Sequence, residues 1–251
     1  MTAMRAPRFF CTTPLSVDDQ GRELNIAGET ARHVAQALRM RVGDALTLFT
    51  GDGGEFVAEI TRIDKRDVAV RIGAFDPVER EASHAVTLVQ SIIAADMMDL
   101  VVRKSVELGV AAIIPVIAAR SQRSPEAREA KRAERWRQIA IAACEQCGRN
   151  RVPEIAEIGP LSAWLDSHAT SRVALMLAPD ASVSYGATIQ TSVPRFIIVG
   201  PEGGFTPQEC GEAERRGVTL ARFGPRVLRA ETAALAALSV IVAIEDDAAP
   251  T

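Results

Sequence analysis

The chain has 251 residues, of which 47% are hydrophobic and 24% charged, and its mean hydropathy is +0.08. This composition is typical of a folded globular protein and argues against disordered, fibrous and membrane-spanning classes, since no apolar run approaches the ~18–20 residues that cross a bilayer. The net charge of −3 argues against a protein that coats nucleic acid through bulk charge. Four cysteines without a recognisable secretion signal favour a reducing compartment, and we expect a cytoplasmic protein.

The amino-terminal third predicts a small antiparallel β-barrel. Alternating runs at 45–49 and 55–60, separated by a glycine-rich turn, predict a hairpin, and the run at 67–72 repeats the alternation. A single helix is expected at 30–38. Because several short strands at this spacing favour a small barrel, we assign residues 1–75 to that domain.

From residue 76 to residue 251 the pattern predicts an α/β domain in which strands and helices alternate. Strands are predicted at 86–93, 112–116, 172–177 and 196–199, and helices at 96–108, 125–147 and 231–244. The last of these helices is apolar on all sides, which predicts burial in a core or a subunit interface. Such alternation indicates a parallel sheet with its ligand site at the carboxyl ends of the strands.

One candidate site is the glycine-rich loop that follows the strand at 196–199. Glycines at 200, 203 and 204 would let the backbone approach a ligand closely, and a capping box with proline, Thr206-Pro207-Gln208-Glu209, begins a helix immediately afterwards. The loop matches neither a P-loop nor a dinucleotide motif. A plain strand-to-helix turn is the alternative to a site for a planar or polar ligand.

A second loop, at 223–233, precedes the apolar final helix. It carries Arg226, Arg229 and Glu231 within six residues. A buried charge must be paired or must bind something, so we expect these groups either to pair with each other or to hold a ligand.

Basic residues are concentrated between positions 120 and 151, with nine Lys or Arg against four Asp or Glu. This local excess favours contacts with RNA phosphates. Cys144 and Cys147 have metal or redox spacing, but without a second pair or a nearby histidine they are better interpreted as packing residues, and we expect no metal centre. Arg8, beside two phenylalanines, indicates either base stacking or the start of a barrel core.

Taken together, these motifs resemble the ribosomal RNA small subunit methyltransferase E family of the SPOUT methyltransferases. The similarity rests on two carboxy-terminal segments, Gly200-Pro201-Glu202-Gly203-Gly204-Phe205 and Gly224-Pro225-Arg226-Val227-Leu228-Arg229-Ala230-Glu231-Thr232-Ala233. Shorter matches are Arg8-Phe9-Phe10, His33, Leu38-Arg39, Lys104, Glu107-Leu108-Gly109, Arg120-Ser121, Cys144-Glu145-Gln146 and Gly148-Arg149.

The resemblance implies a PUA-like barrel followed by a SPOUT domain whose carboxy-terminal part forms a trefoil knot. It further implies a homodimer that uses S-adenosylmethionine to methylate N3 of a uridine in 16S rRNA of the small ribosomal subunit. A SPOUT enzyme acting on the ribose 2′-hydroxyl or on another base, and a catalytically silent RNA-binding protein, remain alternatives.

By position, the resemblance assigns two sets of site residues. The cofactor would contact Leu177, Gly200, Glu202, Gly203, Phe223, Gly224, Arg226 and Leu228. The RNA would contact Arg8, Arg120 and Arg149. Arg8 or Arg149 would act in catalysis by stabilising the uracil anion, while Glu145 or Glu231 is a weaker candidate for a base.

Overall fold

The computed structural model describes residues 6–28, 31, 34, 40–64, 67–122, 129–168 and 174–248. The predicted helix at 30–38 lies largely outside them, as do His33, Leu38 and Arg39. The chain divides into a first unit, Met1–Glu81 with Cys144–Val152, and a second unit, Ala82–Ala143 with Pro153–Thr251. The inclusion of Cys144–Val152 in the first unit differs from the continuous division at residue 75, which stays a prediction.

The first unit contains a five-stranded sheet in the order β1-β3-β4-β5-β2. Its strands are β1 (Arg8–Phe10), β2 (Glu23–Ala27), β3 (Ala45–Phe49), β4 (Glu55–Ile63) and β5 (Asp67–Asp76). The predicted hairpin is confirmed, because β3 and β4 pair antiparallel. The expectation of a wholly antiparallel sheet is wrong, since β1 pairs parallel to β3. Alternate side chains of the strands, such as Leu46, Leu48, Phe56 and Ile60, form a buried apolar core.

The second unit is an α/β arrangement, as predicted. In chain order it contains β6 (Thr87–Ser91), α1 (Ala95–Glu107), β7 (Ala112–Ile117), α2 (Glu129–Cys147), β8 (Glu154–Ile155), β9 (Gly159–Pro160), α3 (Leu161–Ser167), β10 (Ala174–Leu177), β11 (Val183–Ser184), α4 (Tyr185–Ile189), β12 (Phe196–Val199), α5 (Pro207–Arg215), β13 (Thr219–Arg222) and α6 (Ala230–Ala248). The last residues of α2 are counted with the first unit. No helix in the described part of the chain is both long enough and apolar enough to cross a membrane.

The sheet of the second unit has the strand order β11-β13-β10-β12-β6-β7-β8, with β9 paired to β7. The described pairs in this sheet are all parallel. All four residues of β10 and all four of β12 are buried, as expected for a parallel sheet whose two faces are covered. The carboxyl ends of these strands therefore lie at one edge, where the loops after β10, β12 and β13 meet.

Helix α6 has two different faces. Ala230, Ala234, Ala237 and Leu238 are buried, whereas Ala243 on the opposite face is exposed. Within one chain the helix is thus half covered, not buried on all sides. The trefoil threading of this carboxy-terminal region is implied by the resemblance alone and stays a prediction.

Candidate functional site

A cavity of about 520 Å³ lies at the carboxyl edge of the second unit's sheet. Its walls come from the loops after β10, β12 and β13, from the first turn of α6, and from Arg120. Seven of the eight residues assigned to the cofactor line it, namely Leu177, Gly200, Glu202, Gly203, Phe223, Arg226 and Leu228. The eighth, Gly224, does not line the cavity but turns the chain beside it with φ +71°.

The loop at 200–205 depends on its glycines for packing as well as for conformation. Gly204 has φ +68°, and its N–H donates to the carbonyl oxygen of Pro201 at 2.8 Å. A Cβ at Gly200 would lie 3.2 Å from the ring of Phe205, and one at Gly203 would lie 3.3 Å from Cβ and Cδ of Arg120. Side chains at these positions would displace their neighbours, so the backbone itself forms this wall of the cavity.

Two hydrogen bonds hold this loop against neighbouring loops. The carboxylate Oε1 of Glu202 accepts from the N–H of Ala94, which follows β6, at 2.9 Å. The guanidinium of Arg120, after β7, donates to the carbonyl oxygen of Gly203 at 2.8 Å. Arg120, which was expected to face RNA, is exposed and lies at the cavity.

Tyr185 packs against the start of the second loop, at 223–233, and is hydrogen-bonded to α6. The rings of Tyr185 and Phe223 are 5.2 Å apart, and the Tyr185 hydroxyl donates to the carbonyl oxygen of Ala237 in α6 at 2.9 Å. Burial raises the pKa of Tyr185 well above its usual value. The expectation that Arg226 and Arg229 carry buried charge is wrong, because both are exposed.

The rim of the cavity carries charges of both signs around a largely apolar interior. Asp180 and Glu202 contribute carboxylates, while Arg120 and Arg226 contribute guanidinium groups. Asp180 was not anticipated, although its place three residues after the end of the buried strand β10 is a usable signal. Such a cavity suits a small molecule with a planar apolar part and charges of both signs.

Cys210 also lines the cavity and was not singled out in the sequence. Burial raises the pKa of its thiol, and the carboxylates of Glu209, Glu214 and Asp180 raise it further. The thiol is therefore protonated at neutral pH and serves as a small apolar wall residue.

Arg8 and Arg149 belong to the first unit, where both are buried, with 9% and 4% of their surface exposed. Arg8 donates to Glu55, to Asn150 Oδ1 at 2.6 Å and to the carbonyl oxygen of Arg149 at 3.2 Å. Arg149 forms an ion pair with both oxygens of Glu81. Its Nε donates to Oε1 at 3.0 Å, and its Nη2 donates to Oε2. The structure thus pairs both guanidinium groups with carboxylates, in contrast to the expected RNA-facing cations, and their catalytic role stays a prediction.

The structure gives local roles to the other residues that the sequence suggested for base stacking or for a catalytic base. Phe9 is buried in the core of the first unit, which favours the barrel-core interpretation over base stacking for this residue. Glu145 accepts a hydrogen bond from the N–H of Phe10 at 2.9 Å, which fixes its carboxylate against β1. Glu231 lies in the first turn of α6, where a negative charge favours the helix.

Cys144 and Cys147 are free thiols. Cys144 is buried, its Sγ donates to the carbonyl oxygen of Arg151 at 3.5 Å, and burial raises its pKa to about 12. The packing interpretation is therefore supported for Cys144, whereas Cys147 is only partly buried and its role stays a prediction. Within the described ranges, no group of three or more His, Cys, Asp or Glu side chains is arranged to hold a metal ion.

Comparison with known proteins now identifies the family. Residues 80–242 match the RNA methyltransferase domain model, and residues 26–73 match the RNA methyltransferase PUA domain model. The ribosomal RNA small subunit methyltransferase E of Bacillus subtilis is 31% identical over 244 residues, which cover 93% of this chain and 95% of that protein. The chain belongs to the ribosomal RNA small subunit methyltransferase E family. The resemblance drawn from the two loop motifs is confirmed, as is the PUA-like and SPOUT architecture.

Two solved structures of similar proteins contain a bound cofactor. One is the ribosomal RNA small subunit methyltransferase E of Neisseria gonorrhoeae bound to S-adenosylmethionine, 37% identical, with TM-score 0.87 over 96% of this chain and 98% of that one. The other is a putative methyltransferase of Legionella pneumophila with bound SAM, also 37% identical, with TM-score 0.86 and the same coverage.

Proposed function

We propose that this protein transfers the methyl group of S-adenosylmethionine to N3 of a uridine in 16S rRNA of the small ribosomal subunit. The observation that carries the proposal is the cavity formed by the two family motifs at the carboxyl edge of the parallel sheet. The relatives named above act on small-subunit ribosomal RNA or hold S-adenosylmethionine, and the PUA match supports an RNA substrate.

The residues of the cavity fit this cofactor. A volume of about 520 Å³ lies within the range of roughly 300–1,000 Å³ that is usual for small-molecule sites. Leu177, Phe223 and Leu228 provide apolar walls for the adenine, and the backbone at Gly200 and Gly203 allows close approach. The charged rim matches the carboxylate, ammonium and sulfonium groups. When bound, the cofactor supplies an electrophilic methyl group.

The protein's own residues have to orient the reactants and exclude water. N3 lies on the Watson–Crick edge of uracil, so the base must be unpaired or flipped out before it can reach the cofactor. The imide must also lose its proton, and a guanidinium near the carbonyl oxygens would stabilise the resulting anion. Arg8 and Arg149 are proposed for this role on the resemblance. Arg8 would first have to leave its partner Glu55, or Arg149 its partner Glu81, before it could bind the uracil.

We extend the proposal to a homodimer formed through the outer face of α6. Leu235 and Val242 are only partly covered there, and Ala243 is exposed. The three residues lie on one side of the helix, since residues seven or eight positions apart share a face. A second chain would cover this side, on which Ser239 is also exposed and donates its hydroxyl to the Leu235 carbonyl oxygen at 2.8 Å.

The test is methyl transfer from radiolabelled S-adenosylmethionine to small ribosomal subunits and to rRNA from a strain that lacks the modification, followed by nucleoside analysis. The expected product is N3-methyluridine. A ribose 2′-O-methyl or another base product would overturn the N3 assignment. Cofactor binding without transfer to either substrate would favour an RNA-binding protein, and absence of cofactor binding would defeat the enzymatic proposal altogether.

A further inference from the structure

The carboxylate of Glu209 joins two loops that border the cavity. Its Oε2 accepts from the N–H of Thr206 at 2.8 Å and from the Thr206 hydroxyl at 3.0 Å, which is the capping box of α5. Its Oε1 accepts from the N–H of Ala119, in the loop after β7, at 2.8 Å. A capping box requires only the bonds at Oε2. The bond from Ala119 to Oε1 is therefore a contact that capping does not explain.

The loop that Glu209 holds is the one that carries Arg120. The turn at 118–121 is closed by two bonds of 3.1 Å between Ala118 and Ser121, one from the Ser121 N–H to the Ala118 carbonyl oxygen and one from the Ala118 N–H to the Ser121 hydroxyl. Arg120 leaves this turn and donates to the Gly203 carbonyl oxygen at 2.8 Å. The turn is therefore attached to α5 at one side and to the cavity wall at the other.

We propose that Glu209 is a positioning residue for cofactor binding. It acts through the 118–121 turn and Arg120 to hold Gly203 in the geometry that receives S-adenosylmethionine. The inference rests on the proposed function only in taking that molecule as the ligand.

The chemistry requires a carboxylate at this position. The partners at both oxygens include main-chain N–H donors, one from Ala119 and one from Thr206. Glutamine has a single acceptor oxygen, and its amide NH₂ would face the other donor. Because glutamine serves as well as glutamate at this position of a capping box, Glu209→Gln should keep the Thr206 attachment and lose the Ala119 one, although it preserves size and shape.

The test compares three variants of the full chain by calorimetry with S-adenosylmethionine. Glu209→Gln should weaken binding by about tenfold, the effect of one charge-assisted hydrogen bond. Thr206→Ala removes the capping hydroxyl but keeps the Ala119 contact, and it should weaken binding less than about threefold while lowering Tm by about 2–4 °C. Glu214→Gln, on the exposed side of the same helix, should match the unchanged chain.

A double-mutant cycle with Arg120→Ala tests the path itself. If Glu209 acts through Arg120, then Glu209→Gln should weaken binding by less than about twofold when Arg120 is already alanine. Additive effects, or equal effects of Glu209→Gln and Thr206→Ala, would overturn the inference. If Glu209→Gln does not fold, Glu209→Asp takes its place in the cycle: its shorter side chain cannot keep both attachments, and its effect on binding must likewise disappear when Arg120 is alanine. A wild-type chain that binds no S-adenosylmethionine refutes the proposed function instead.

Discussion

Arg120 and Gly203 are joined by a hydrogen bond of 2.8 Å from guanidinium to carbonyl oxygen, and the aliphatic part of Arg120 occupies the space beside the Gly203 Cα. The absence of a side chain at position 203 is thus a condition for this contact. The same pair connects the loops after β7 and β12, so it links a loop expected to meet RNA with one expected to meet the cofactor.

This relationship predicts that Gly203→Val weakens S-adenosylmethionine binding far more than Arg226→Ala. A valine would collide with Arg120, and forcing side chains into a filled site costs about 1–3 kcal/mol, or roughly tenfold or more in affinity. Arg226 is exposed, so the loss of its side chain leaves the backbone of its loop and the apolar walls at Phe223 and Leu228 in place. Calorimetry measures both dissociation constants, and the reverse ranking would refute this account of the loops.

Arg149→Ala is expected to destabilise the first unit strongly. Removing one partner of a buried ion pair leaves the other charge uncompensated, at a cost of about 3–5 kcal/mol. Arg151→Ala is the matched control, because Arg151 pairs with Glu79 but 53% of its side chain is exposed, and exposed pairs contribute about 1 kcal/mol or less. Urea unfolding measures both variants, and equal losses of stability would contradict the structural role assigned to Arg149.

The stability of the first unit should fall in acid partly through Glu55. Burial alone would raise the pKa of Glu55, but hydrogen bonds from Arg80 and Arg8, together with their charges, outweigh it and lower the pKa. The stabilisation is therefore present above the unfolded-state pKa of about 4.3 and is lost as pH falls through the lower folded-state value.

The variant Glu55→Gln checks this expectation. Its unfolding free energy should depend less on pH below about pH 4.5 than that of the unchanged chain. Glu59→Gln, exposed on the same strand, provides the comparison. Identical acid dependence in all three proteins would remove Glu55 from the explanation.

Cys144 should resist alkylation in the native protein. With a pKa of about 12 and a buried sulfur, its thiolate population at neutral pH is very small. Cys147 is partly exposed and should react sooner. Timed iodoacetamide labelling followed by mass spectrometry distinguishes the two, and faster labelling of Cys144 would contradict the packing interpretation.

The dimer proposal predicts that Ala243→Glu yields monomers. A carboxylate on the outer face of α6 would be desolvated in the interface without a partner. Ala187→Glu, exposed on α4, is the control and should leave the mass unchanged. Light scattering after gel filtration measures the mass, and an unaltered dimer in Ala243→Glu would place the interface elsewhere.

Local patterns predicted much of the fold. The strand at Phe196–Val199 and the capped helix beginning at Pro207 depend on neighbouring residues, and both were found where the sequence indicated. The predicted parallel sheet also indicated where the cavity lies, because ligand sites in such sheets form at the carboxyl ends of the strands. Seven of the eight assigned cofactor residues meet there because they belong to the two motifs.

Contacts between distant parts of the chain were not predictable in this way. Arg8 and Glu55 are 47 positions apart, and Arg149 and Glu81 are 68 apart. No periodicity or spacing indicates that these charges neutralise each other in a buried position. The same reason explains why the inclusion of Cys144–Val152 in the first unit was missed: a short polar segment gives no local signal of the surface that it joins.

The carboxylates of Glu202 and Glu209 attach three loops to one another through main-chain N–H groups. Loops free in solution lose conformational entropy when a ligand orders them, and that loss weakens affinity. Here much of the ordering has already occurred during folding. The walls of the cavity are therefore largely in place before the methyl donor enters, and its binding has little chain entropy left to overcome.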